Sequence, residues 1–147
     1  MINPSKYIRK AYLQLLSGLT SGSVPVPVFD RRIPISTPTP STRVIITSQT
    51  NSITRENKCG HSWECTIILD VITEQDISFV NSAIVDDIEE QISNAIDTWT
   101  NTGQDISIPP FTVYHTTFQS STDFELEFDT TTIIRRVIRY VHILNGI

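Results

Sequence analysis

The stretch ENKCGHSWEC (56–65) places both cysteines of the chain and one of its three histidines within seven residues, as Cys59, His61 and Cys65. These are soft metal ligands. A structural zinc site, however, takes four, most often with a C-x₂₋₄-C knuckle, and here there are three at C-x₅-C spacing. Cys65 also opens an alternating apolar run beside Trp63 and Ile67, the setting of a buried structural thiol. The reading is therefore a core thiol and no metal. A Cys/His nucleophile would need His115 or His142 brought to Cys59 by folding. Both histidines lie on or beside expected strands, and no sequence feature builds a cleft around Cys59. Asp86, Asp87, Glu89 and Glu90 read as the solvated face of a helix. With five glycines, no P-loop and no G-x-G-x-x-G, phosphate cradling is unsupported. Neither a cofactor nor an enzymatic activity is expected.

The remaining chemistry is basic. RRVIRYVH (135–142) carries Arg135, Arg136 and Arg139. They are suited either to phosphates or to acids such as Asp86, Glu89 or Glu90 of an adjacent subunit. A net charge of −5 favours the second use, because nucleic-acid affinity rests on clustered Lys and Arg. With Arg31 and Arg32 in a proline-rich segment and Arg55 and Lys58 in a polar loop, they form the candidate set of subunit or partner interface residues.

Several elements must position these groups. Asn3 and Pro4 suit the start of a helix, and Ile8, Ala11, Tyr12, Leu15, Leu16 and Leu19 recur at helical spacing up to Gly18. A first helix is expected from about Pro4 to Ser17. Pro25, Pro27, Pro34, Pro38 and Pro40 then fall within 16 residues. Proline removes ladder donors, so a short edge strand near Val26–Asp30 should lead into an extended arm, the whole proline-rich segment covering 24–41. Arg43–Gln49 and His61–Thr73 read as strands, joined by a polar, projecting loop at 50–60. In the second strand Trp63, Cys65, Ile67, Leu69 and Val71 share a wholly apolar face, while Glu64, Thr66, Ile68, Asp70 and Ile72 share a mixed one. Asp76 or Ser78 should cap a second helix, with Ile77, Val80, Ile84, Ile88, Ile92, Ala95, Ile96 and Trp99 on one stripe and an end near Asn101. Phe111–Phe118 reads as a strand, Gln119–Thr122 as a turn, and the chain to Leu144 as extended. Ile133–Leu144 also fits helical spacing, but its β-branched content favours a strand.

The expected fold is thus a single α+β domain over 1–147. Its antiparallel, at most mixed, sheet of four to six strands carries two helices on one face, in the order α-β-β-β-α-β-β. At 39% apolar and 18% charged the composition suits an ordinary core, with Thr, Ser, Asn and Gln leaving a neutral polar surface. No apolar run approaches the roughly 20 residues that span a bilayer, so no membrane association is expected. The N-terminus lacks a continuous apolar signal region and reads as that of a cytoplasmic product.

In element order the chain resembles the tail-terminator, or tail-completion, proteins of tailed bacteriophages. The resemblance is carried by the N-terminal helix, the crossing VPVPVFDRRIP, the strand RVIITS, the loop into HSWECTIILDVIT, the long helix and the closing DTTTIIRRVIRYVHI, in which Arg135, Arg139 and Tyr140 match R-x-x-x-R-[FY]. It implies a structural virion subunit, made in the host bacterial cytoplasm, that assembles as a ring, typically a hexamer. The ring would cap the tail tube, join it to the neck or connector, and leave a lumen through which DNA passes without sequence-specific binding. The proline-rich segment and the Thr-rich end of the sheet have no match in the family pattern, which leaves another neck or connector ring component open. A monomeric or dimeric α+β binding or adaptor module is the competing reading.

Overall fold

The structure, a computed structural model, describes residues 2–57 and 60–146, with the backbone alone at 55–57 and 60. Lys58 and Cys59, and with them the completeness of the Cys59–His61–Cys65 cluster, lie outside the described residues.

Helix α1 spans Ser5–Leu15, and the Asn3 side chain accepts the Ser5 N–H at its start. Its stripe of Ile8, Ala11 and Tyr12 is buried, with Leu16 just beyond. A two-stranded ribbon follows, β1 (Thr20–Ser21) and β2 (Val24–Pro25), turned at Gly22. The main sheet is built from β3 (Val28–Asp30), β4 (Thr42–Asn57), β5 (Gly60–Asp76), β6 (Thr112–Glu127) and β7 (Thr131–Gly146), in the order β3-β4-β5-β7-β6. β3 runs parallel to β4 and all other pairs are antiparallel. The fold is α+β, as expected. The four long strands extend about 50 Å at the usual rise per residue.

Between β5 and β6 lie a 3₁₀ turn (Ile77–Phe79), helix α2 (Ala83–Ile96) and the one-turn helix α3 (Trp99–Thr102). The helices share one face of the sheet. Tyr12 of α1 reaches His142, and Asp86 and Glu89 of α2 reach Arg136, and these two β7 residues have the same parity. On that face β7 presents Ile134, Ile138, Tyr140 and Leu144, in register with Thr73, Leu69, Ile67 and Trp63 of β5. All are buried against Val85, Ile88, Ile92 and Ile96 of α2 and the α1 stripe in one continuous core. Cys65 belongs to it, 1% exposed, as the alternation predicted.

Four expectations are corrected. Residues 50–57 are not a projecting loop but continue β4 to Asn57, which pairs with Gly60 at the start of β5. Their polar side chains misled, since a hairpin solvated on both faces is held by backbone hydrogen bonds that composition does not reveal. Gln119–Thr122 is likewise strand. A bulge between Phe118 and Ser120 absorbs Gln119, and the turn falls at 128–130. The second helix begins at Ala83 instead of Asp76. Asp76 accepts the Ser78 N–H and so caps the 3₁₀ turn, while paired hydrogen bonds between the Gln75 side chain and the Asn81 backbone hold the connection. Trp99 leaves the stripe altogether, 61% exposed on α3. Ile133–Leu144 is strand, in agreement with its β-branched content.

Leu69, fully buried on the central strand, lies where this packing is densest. Leu69→Ala should lower unfolding stability by about 2–5 kcal/mol, read as a lower urea midpoint at unchanged slope.

Candidate functional site

The basic run is divided by the period of the strand it lies on. Along β7, Arg136 and His142 point to the helices, whereas Arg135 and Arg139 point to the open face. One motif therefore supplies two kinds of site.

On the covered side, Arg136 is an internal clamp. Its Nε and Nη2 donate to the two Asp123 carboxylate oxygens at 2.6 and 3.0 Å, and its Nη1 donates to Glu89 at 2.9 Å and to Asp86. The acids that sequence reading placed on a neighbouring subunit are thus those of its own chain. Hydrogen bonding to Asp123, ahead of that to Asp86, raises the guanidinium above its ordinary value, and Arg136 in turn holds Asp123 below the usual carboxylate range. The clamp ties β7 to β6 and to the first half of α2.

Six residues along, His142 accepts or donates at both ring nitrogens, to Tyr12 Oη at 2.5 Å and Thr116 Oγ1 at 2.9 Å. A neutral ring satisfies both partners whichever nitrogen carries the proton. Burial lowers its pKa to about 4 and raises that of Tyr12. Burial also pushes the Cys65 thiol up to about 12, so it stays protonated and unreactive. Among the described residues no three His, Cys, Asp or Glu side chains gather as metal ligands.

On the open side, Arg135 grips Asp70, its Nε and Nη2 both donating to Oδ2 at 3.1 and 2.5 Å, with the Arg135 side chain 41% exposed and Asp70 4%. Arg139 is exposed and has no ion pair among the described residues. Around them the register aligns Ile45 of β4, Ile68 and Ile72 of β5, and Ile133, Val137, Val141 and Ile143 of β7 on the face away from α1 and α2. Ile72 is buried there and the others are partly exposed, and they surround one shielded ion pair and Arg139, which has no ion pair among the described residues.

Both lateral edges add to it. Beyond β3 the chain leaves the sheet at Arg31, which has φ 69° and donates its N–H to Ile46 O at 2.8 Å. Arg31 and Arg32 are exposed and unpaired among the described residues. A turn closed by Thr37 N–H to Pro34 O then presents Ile35, 98% exposed. At the other edge, DFELEFD (123–129) alternates acids with apolar residues, and Phe124 (51%), Leu126 (47%) and Phe128 stand exposed. Sequence reading missed this tip, although the strict alternation was visible, because it was taken for generic extended chain. The side chain of Arg55 and all of Lys58 lie outside the described residues, so the candidate set is described at Arg31, Arg32, Arg135, Arg136 and Arg139. A cleft of about 410 Å³ between α3 and β6, lined by Trp99, Tyr114, Phe118, Asp97 and Asp105, completes the exposed aromatic surface.

No protein-family model matches the sequence, and no curated protein matches it. Among solved structures, the fold is shared with a chain in the virion of a native gene transfer agent (GTA) particle, at TM-score 0.62 and 16% identity, over 97% of this chain and 92% of that one.

Two outcomes test the covered side. Protonating His142 is harder in the folded than in the unfolded chain, so its contribution to stability is complete above about pH 6.5 and is lost toward pH 4, at about 1.4 kcal/mol per pH unit. His142→Gln should flatten that part of the stability profile measured by urea unfolding between pH 7 and 4. Arg136→Leu leaves Asp86, Glu89 and Asp123 facing one another. It should destabilise by about 2–4 kcal/mol at pH 7, less than a fully buried pair would cost because the acids reach solvent, and the deficit should shrink as acid neutralises them.

Proposed function

We propose that this protein is a structural virion subunit of a tailed phage or phage-like particle, a ring-forming tail terminator or tail-completion protein that caps the tail tube and joins it to the neck. The observation that carries this reading is a run of branched aliphatic side chains, Ile45, Ile68, Ile133, Val137, Val141 and Ile143, that stay partly exposed on the sheet face away from α1 and α2. A neighbouring copy would cover what these side chains leave exposed. The fold shared with a gene transfer agent virion chain and the element order of tail terminators point the same way. In this reading the protein is not an enzyme. Its exposed polar and net negative surface would line or flank a lumen that DNA crosses without being gripped, because the excess of acids opposes phosphate binding.

The second reading, a monomeric or dimeric binding module, draws on the aromatic cleft between α3 and β6, which has the size and lining of a small ligand site.

The two readings part on mass in solution. Light scattering after size exclusion, with negative-stain images of the same fractions, should give closed rings, either from the protein alone or on addition of the tail-tube protein. A monomer or dimer that never joins a tail-tube partner would favour the binding module.

A further inference from the structure

Resting on the ring reading, we infer that the proline arm of one copy docks on the β6–β7 tip of the next, with Arg31 and Arg32 against Glu125 and Glu127 and Ile35 against Phe124 and Leu126.

Placement comes first. The sheet order puts β3 and β6 at opposite lateral edges, so the arm and the tip flank the molecule on its two sides. They are also level. Asp30, where the arm begins, pairs with Ile46, and Thr42, where it ends, pairs with Thr73. Across the sheet, Ile46 leads through Leu69 and Ile138 to Ser121, and Thr42 leads through Thr73 and Ile134 to Glu125. Copies set side by side therefore bring arm and tip together without any shift along the strands.

Chemistry comes second. The arm offers two arginines with no ion pair among the described residues and one apolar knob, Ile35, at the apex of a turn where a polar residue is the rule. The tip offers Glu125, Glu127 and Asp129, also unpaired among the described residues, and two half-exposed apolar side chains. Each surface is basic-apolar or acidic-apolar, so like does not fit like, and the contact is head-to-tail. Repetition of a head-to-tail contact closes into a ring when the rotation permits. Pro34, Pro38 and Pro40 restrict the arm's backbone before docking and reduce the entropy lost on binding. The outer edge of β6 has no strand partner in the sheet, and docking there would shield it.

Charge reversal tests the pairing. Arg31→Asp with Arg32→Asp forms one variant, aspartate being chosen because it tolerates the left-handed backbone at 31. Glu125→Lys with Glu127→Lys forms the second, and all four changes together the third. Each is checked for fold by far-UV circular dichroism, and assembly is followed by light scattering over a concentration series at low salt. The first two should need about tenfold or more higher concentration to assemble than wild type, and the third should recover. Wild-type-like assembly of both reversed variants, or no recovery in the third despite native fold, would overturn this contact while leaving the ring in place. A wild-type chain that stays monomeric with and without the tail-tube protein would instead remove the ring reading and this contact with it.

Discussion

The strict alternation of β7 is the constraint on which the rest of the molecule depends. Sixteen residues send every second side chain to the helices and the others to the open face, and each adjoining element follows that division. On one side the alternation supplies Ile134, Ile138, Tyr140 and Leu144 to the core, together with two polar groups, Arg136 and His142, whose partners come from α1, α2 and β6. On the other it supplies branched aliphatic residues and two arginines to a surface that neither α1 nor α2 covers.

The two buried polar groups do more than fill space. A slip of one residue in the β5–β7 register would carry Arg136 to the open face and Arg135 into the core, stranding the Asp86, Glu89 and Asp123 carboxylates and opening both histidine hydrogen bonds. Apolar residues alone would tolerate that slip better, because Val137, Val141 and Ile143 on the open face are nearly interchangeable in character with the core set. The arginine clamp and the Tyr12–His142–Thr116 chain thus act as register markers at two points six residues apart. Their value lies in specificity more than in net stability, since ion pairs taken from water return much of what they gain.

What was legible in the sequence follows the same physics. α1, the apolar face of β5 and the strand character of β7 could be read because burial on one side leaves a periodic pattern. The second half of the β4–β5 hairpin and the Gln119–Thr122 stretch of β6 could not, since polar residues on both faces look like loop and only the backbone ladder makes them strand. Asp76 was expected to cap the second helix but caps the 3₁₀ turn instead, since a cap residue does not specify what it caps. The arginines were recognised as a site, yet their division between two faces depends on register and on α2 lying over β7, both of which are tertiary facts. Of the exposed surface, the proline arm was legible from its composition, whereas the acidic-aromatic tip was read only as extended chain although its alternation was visible. Their placement level with each other on opposite edges was not, because it depends on the strand order.

Local rules are broken most clearly on the two lateral edges of the sheet. Arg31 takes a left-handed backbone without being glycine, Ile35 sits bare on a turn, and Phe124 and Leu126 alternate with unpaired acids on an edge strand. Elsewhere the apolar stripes of α1, α2, β5 and β7 are buried and most prolines lie off the ladder, although Phe79 and Trp99 also stand exposed and Pro25 pairs with Thr20 in the β1–β2 ribbon. Natural sequences depart from such consistency mainly where another requirement competes with folding. A protomer optimised only for its own stability would place polar residues at these positions, since the core contains none of them. Their position at one end of the sheet, on both lateral edges, is where the proposed head-to-tail contact would bury them.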